Sequence, residues 1–189
     1  MVVGLIGIFG FGLFMLYDLN SVFWKKKFLN SFFSLGSFFI VVSTIVGVSD
    51  AGKENGSVGN SPVWLVLATV FLGVLVYTLF FALPFKETYQ SGEDRKEKSR
   101  VCSHGMYALC RHPGVLWFFF FYFFLGIGMG SKKLLAIGMV YSFCNFLYVV
   151  FQDMYTFPKV LDGYNEYKKD VPFLIPNKKS VVRALGKTN

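Results

Sequence analysis

Arg111-His112-Pro113 runs directly into Gly114-Val115-Leu116-Trp117-Phe118-Phe119-Phe120-Phe121-Tyr122-Phe123-Phe124-Leu125-Gly126, and this junction decides the fold. The apolar run continues to Gly130 without a charge. Such a run belongs in a bilayer rather than in an ordinary soluble core. Upstream, residues 85–112 form the main internal polar stretch, so Arg111, His112 and Pro113 stand where a polar loop enters the membrane. Proline suits a helix start because its missing N–H would have had no partner there. Arg111 and His112 beside the free N–H groups of that helix make a donor-rich pocket suited to an anion. A basic residue and a proline at a membrane boundary also serve as a plain interfacial anchor. The three residues alone leave both readings open.

The rest of the chain agrees with a membrane setting. Of its 189 residues 54% are hydrophobic, 20% aromatic and only 16% charged, and its mean hydropathy is +0.51. This predicts a single all-α integral membrane domain over 1–189. A net charge of +8 in such a protein reports topology and contact with membrane lipids of anionic headgroup. No soluble stretch interleaves aromatic and basic residues, so nucleic acid is set aside as a partner. Cys102, Cys110 and Cys144 form no Cys-x-x-Cys pair and are odd in number. They are expected as reduced thiols, without a disulfide framework or a metal site.

Five spans are expected. Met1–Tyr17 reads as a retained helix rather than a cleaved leader, and Gly4, Gly7, Gly10 and Gly12 allow close helix packing. Phe28–Ser49 and Pro62–Pro84 follow, so 1–84 holds three membrane helices. Residues 85–113 are a cytosolic loop with an alternating charge run through 91–100. Gly114–Gly130 and Leu134–Phe151, joined by a tight turn, form a helical hairpin over 114–151, and 152–189 is a cytosolic tail. All but Lys53, Lys132 and Lys133 of the 19 Lys and Arg fall on the side of the motif loop and the tail. By the positive-inside rule that side is cytosolic and the N-terminus lies outside.

The fifth span carries a polar seam. Tyr141, Asn145, Tyr148 and Gln152 share one helical face. Amides in lipid face protein or a wet cavity, so the seam is either helix–helix hydrogen bonding or part of a ligand pocket. It points toward Asp153, a carboxylate at a helix C-terminus, where the dipole opposes it unless a cation is near. Further on, Tyr164 and Tyr167 share a side of a short amphipathic helix that Val171-Pro172 ends.

Together, Gly105-x-Tyr107-x-x-x-Arg111-His112-Pro113, the hairpin, the pair Gln152-Asp153 and Tyr164-x-x-Tyr167-Lys168-Lys169-x-Val171-Pro172 resemble one family. It is the isoprenylcysteine carboxyl methyltransferase and phospholipid methyltransferase superfamily. The resemblance covers the C-terminal half; the N-terminal half is similar only in being helical and membrane-embedded. It implies a cytosolic pocket for S-adenosylmethionine, formed by the hairpin and the tail, and a lipid-like or prenylated acceptor arriving from the bilayer. It implies Tyr107, Arg111, His112, Pro113, Tyr148, Gln152, Asp153 and Tyr164 as cofactor-binding residues, with Arg111 and Asp153 as the catalytic pair. The expected chemistry sets Arg111 and His112 against the cofactor carboxylate and Asp153 against a cation. Tyr148 or Tyr164 would face the sulfonium or adenine. A carboxylate acceptor needs no base; an amine would give its proton to His112 or Asp153.

The chain departs from the family pattern in three places. Gln152-Asp153 replaces the usual pair of glutamates, Val115 stands where tyrosine is common, and Leu161 where glycine is usual, with Gly163 two residues later. Two other readings stay open. One is a sterol-reductase-like enzyme using a reduced nicotinamide cofactor. The other is a non-catalytic or degenerate family member. The acceptor, the oligomeric state and the choice between plasma membrane and endoplasmic reticulum are not legible in the residues.

Overall fold

The computed structural model describes residues 2–53, 62–82 and 99–185. The end of the expected third span at 83–84, the loop at 54–61, the charged run through 98 and the chain end at 186–189 lie outside the described residues.

Helix α1 (Val2–Leu19) continues into a π turn (Asn20–Trp24), and a 3-10 turn (Lys27–Asn30) leads into α2 (Ser31–Lys53). Helix α3 is Pro62–Phe80. A two-residue strand β1 (Ser99–Arg100) and the short helix α4 (Met106–Leu109) lead to α5 (Pro113–Gly128). Helix α6 (Lys132–Phe151) runs without a break through a second π turn (Gln152–Thr156) into α7 (Phe157–Val160). Strand β2 (Leu161–Asp162), α8 (Tyr164–Asp170) and α9 (Lys178–Ala184) complete the described elements. Strands β1 and β2 pair in parallel, Ser99 with Leu161 and Arg100 with Asp162.

Among the described residues, four helical stretches are long and apolar enough to cross a membrane: Val2–Trp24, Lys27–Lys53, Pro62–Phe80 and Lys132–Val160. The chain is an all-α protein of multi-pass membrane character. The fourth span expected from the sequence, Gly114–Gly130, is represented by α5, whose 16 residues fall short of these. At 1.5 Å per residue α5 covers about 24 Å, against the ~30 Å of a hydrocarbon core. Pro113 starts it late and Gly130, at φ +60°, turns the chain early into α6.

Short as it is, α5 lies between the other helices. One side stacks on α3, with Phe71 against Phe120 at 5.0 Å and against Phe124 at 5.5 Å, and Trp64 against Phe124 at 5.7 Å. The other side turns Tyr122 toward Tyr141 of α6, ring centres 5.6 Å apart, and bonds its hydroxyl to Thr44 of α2. Close approach is needed at two crossings. A Cβ at Gly10 would lie 2.7 Å from the Gly36 carbonyl, and one at Gly7 would overlap the Tyr141 ring. These are two of the four glycines expected to permit close packing; at Gly12 the space is open. Tyr141 is fully buried, bonded to Ser43 at 2.6 Å and donating to the Val3 carbonyl at 3.1 Å. The outer faces carry Leu5, Phe9, Phe38, Ile45, Val66 and Phe143, all exposed, as lipid contact requires.

The tail boundary expected at Gln152 is not where the helix ends. Within Gln152–Thr156 the side chains of Asp153 and Thr156 are buried, so the polarity of this stretch does not mark the end of the helix. Pro158 is tolerated because it falls in the first turn of α7, after the π turn has widened the bonding pattern.

Candidate functional site at the motif end of the bundle

The motif residues are presented by an extended link between α4 and α5. Gly105 caps α4 at φ +59°, ψ −130°, a conformation only glycine adopts readily. Residues 110–112 then run beside the segment after α8: the Arg111 N–H donates to the Pro172 carbonyl at 2.9 Å and the His112 N–H to the Phe173 carbonyl at 3.2 Å. Val101 N–H to the Asp162 carbonyl at 3.2 Å prolongs the β1–β2 pairing. Leu161 occupies β2, and Gly163 at φ +74° makes the left-handed entry to α8.

These links bring the two halves of the motif onto one carboxylate. Asp153 is 3% exposed. Its Oδ1 accepts from Arg111 Nε at 2.8 Å, from the Tyr164 hydroxyl at 2.7 Å and from His112 Nε2 at 3.0 Å. Its Oδ2 accepts from a second Arg111 nitrogen at 3.2 Å and pairs with Lys168 Nζ at 2.7 Å. Five donors fill a carboxylate's acceptor sites. Arg111 also donates to the carbonyls of Lys168 at 2.8 Å and Val171 at 3.0 Å, at the C-terminal end of α8. A cation there completes the last turn and opposes the helix dipole favourably. Of the five N–H groups of the guanidinium, these bonds use four.

The electrostatics follow from burial. Burial holds the His112 imidazole below its ordinary pKa; Asp153 opposes this and the nearby Arg111 and Lys168 add to it. At neutral pH His112 is therefore uncharged and serves as an Nε2–H donor to Asp153, its ring stacked on Phe157 with centres 5.8 Å apart. One carboxylate facing Arg111 and Lys168 leaves one positive charge over. Burial, and then the Asp153 charge, hold the Tyr164 phenol far above its ordinary value, so it stays a donor. Burial likewise raises Tyr167, whose hydroxyl donates to the Tyr107 carbonyl at 2.6 Å. Burial pushes the Cys110 thiol up to about 11, which makes it an inert packing residue. Cys102, Cys110 and Cys144 are free thiols.

A second buried carboxylate lies on α1. Asp18, near the end of α1, is also 3% exposed. Gln152 and Tyr148 are its polar neighbours, and Gln152 Nε2 donates to the Tyr148 hydroxyl at 2.8 Å. Among the described residues its Oδ2 has no partner. Gln152 and Asp153, adjacent in sequence, thus serve different neighbours.

The expected site residues fall into two groups. Arg111, His112, Asp153 and Tyr164 form one bonded network; Tyr148 and Gln152 belong to the Asp18 cluster instead. Tyr107 ties the rim together, donating to the Thr78 carbonyl at 3.2 Å, and Pro113 is the first residue of α5. Asn145 shares neither network among the described contacts. Two members were not foreseen. Lys168 stands one helical turn after Tyr164 within the tail motif, so its face was readable. Asp18 is the only acidic residue in 1–49 and closes an apolar run, a signal that assignment to a loop obscured. Comparison of the chain with protein-family models, with curated proteins and with solved structures finds no match.

Proposed function

We propose that the protein is a membrane-embedded methyltransferase that uses S-adenosylmethionine and acts on a hydrophobic, lipid-like acceptor. The observation that carries the reading is the meeting of Arg111-His112-Pro113 with Tyr164, Tyr167 and Lys168 around Asp153, which joins both halves of the family-like motif in one buried cluster. The donor set suits a ligand that bears a carboxylate: the cluster keeps one positive charge in excess, Lys168 is partly exposed, and Arg111 retains one N–H. When bound, the cofactor would supply an electrophilic methyl group on sulfur. Lys168 and Arg111 would hold its carboxylate, and the rings of Tyr164, Phe157 and Phe173 would exclude water around it. Asp153 acts through Arg111 and His112, holding both in place. On this reading α5 crosses the bilayer with its longer neighbours, the motif end faces the cytosol, and the acceptor arrives along the lipid-facing side of α6, where Phe143, Leu147 and Met154 are exposed.

One observation favours a different reading. The bonds around Asp153 are complete without a ligand, as a purely structural clamp between α5, α6 and α8 would be. That reading expects no cofactor binding.

Equilibrium dialysis of S-adenosylmethionine against protein in maltoside micelles separates the two. Saturable binding is expected, weakened about tenfold by Lys168→Ala through loss of one charge-assisted hydrogen bond. Methyl label should then pass into the organic extract of membranes. No saturable binding by the wild-type protein overturns the proposal in favour of the clamp.

A further inference from the structure

Asp18 lies within the stretch Val2–Trp24, which is long and apolar enough to span a membrane, and is 97% buried. An ionisable side chain in that position is costly and calls for a partner. The polar neighbours are Gln152 and Tyr148, and Gln152 donates to the Tyr148 hydroxyl at 2.8 Å. With its oxygen accepting from Gln152, the Tyr148 hydroxyl keeps its own proton to offer toward Asp18. Both neighbours therefore favour a carboxylate that accepts. Yet Oδ2 accepts nothing, and no cation pairs with Asp18 among the described residues. In its ionised form Asp18 leaves an acceptor bare. That state lacks one polar contact that no described side chain supplies.

A cationic N–H donor supplies that contact. A bare metal ion would need six or more oxygens, and Gln152 and Tyr148 are already committed as donors. An ammonium needs one charged acceptor and aromatic surface. Aromatic surface is present: Tyr148 packs on Phe14 with ring centres 5.5 Å apart, Phe14 stacks on Phe33 at 5.2 Å, and Tyr17 lies 5.5 Å from Phe33. Tail accommodation is provided by the lipid-facing side chains on both helices, Met15 and Leu16 on α1 and Leu147 on α6, all exposed. Helix α1 packs chiefly on α2 and only sparsely on α6, so the seam that holds Asp18 is the weaker one.

We infer that Asp18, with Tyr148 and Gln152, is a binding site for the ammonium head of an amphiphile that enters from the bilayer between α1 and α6. The site is independent of the proposed methyltransferase activity and of the Asp153 network.

The test uses labelled dodecylamine with the full-length protein in maltoside micelles at neutral pH, with dodecanol and laurate as chain-matched controls. Dodecylamine should bind saturably and ten- to a hundredfold more tightly than dodecanol, the scale of one charge-assisted hydrogen bond. Laurate should not compete. Asp18→Asn should reduce amine affinity to the dodecanol level. Tyr148→Phe, which keeps the packing on Phe14, should weaken it by a smaller factor and serves if Asp18→Asn does not fold. Equal binding of amine and alcohol, or an amine affinity unchanged by both substitutions, overturns the inference. So does full displacement of dodecylamine by S-adenosylmethionine, which would assign Asp18 to the cofactor instead. Failure of S-adenosylmethionine to bind at all bears on the proposed activity and leaves this site standing.

Discussion

Asp153, within the second π turn, and Asp18, near the end of α1, are equally buried, each 3% exposed. Their surroundings differ in kind. Asp153 has five donors, two of them from Arg111 and one from Lys168. Asp18 has only the neutral Gln152 and Tyr148 beside it and one bare oxygen among the described residues. Burial alone therefore does not identify a functional carboxylate. The count of unfilled acceptors separates a carboxylate that holds the fold from one that waits for a ligand.

Substitutions test the contrast directly. Asp153→Ala should have the largest effect, because it strands Arg111 in a buried site; removing one partner of such a pair costs roughly 3–5 kcal/mol. Thermal melting in micelles should show a large drop, and a shift no greater than that of a surface variant would remove Asp153 from the clamp. Arg111→Lys should cost less, about 1.5–3 kcal/mol, since the charge survives but the fork that reaches Asp153, the Lys168 carbonyl and the Val171 carbonyl does not. A wild-type melting point would mean that charge, not the fork, holds α8.

The pH response comes next in size. The folded state keeps the His112 pKa below its value of about 6.5 in the unfolded chain. The neutral ring therefore stabilises the fold fully above that pH, and this contribution is lost as pH falls below about 6.5. Melting point against pH should fall on the acid side, and His112→Gln should flatten that part of the curve; an unaltered slope would show that another group titrates. Asp18→Asn should have the smallest effect on stability, within about 1 kcal/mol of wild type, because it removes no complete set of bonds. A loss matching that of Asp153→Ala would erase the difference between the two carboxylates.

Much of this architecture was legible in the residues. The apolar runs mark α1, α2, α3 and α6, and the Gly105, Arg111-His112-Pro113 and Tyr164-x-x-Tyr167 pattern marks the elements that meet at Asp153. What was not legible has physical causes. Gln152–Thr156 reads as a tail because polar residues usually leave the bilayer, whereas here Asp153 is buried by partners from α8 and from the link that leads into α5. Asp18 reads as a loop residue for the same reason. The partner of Arg111 was expected to be a ligand, since no spacing in the sequence reveals that the carboxylate 42 residues later closes on it. The short α5 follows from Pro113 and Gly130, each plain to see, but only its stacking on Phe71 and its bond to Thr44 show how it sits between its neighbours.

The π turn at Gln152–Thr156 has a consequence for how this sequence can change. A π turn is one residue more than an α turn, so its loss by deletion would rotate everything beyond it by about 100° about the helix axis. Gln152 would keep its place against Asp18, while Tyr164, Tyr167 and Lys168 would swing away from Asp153 and Arg111. The extra residue thus acts as an angular offset between two readers of one helix, and length is under tighter constraint in this stretch than residue type. Point substitutions here change one contact at a time, whereas a single insertion or deletion exchanges one whole set of neighbours for another.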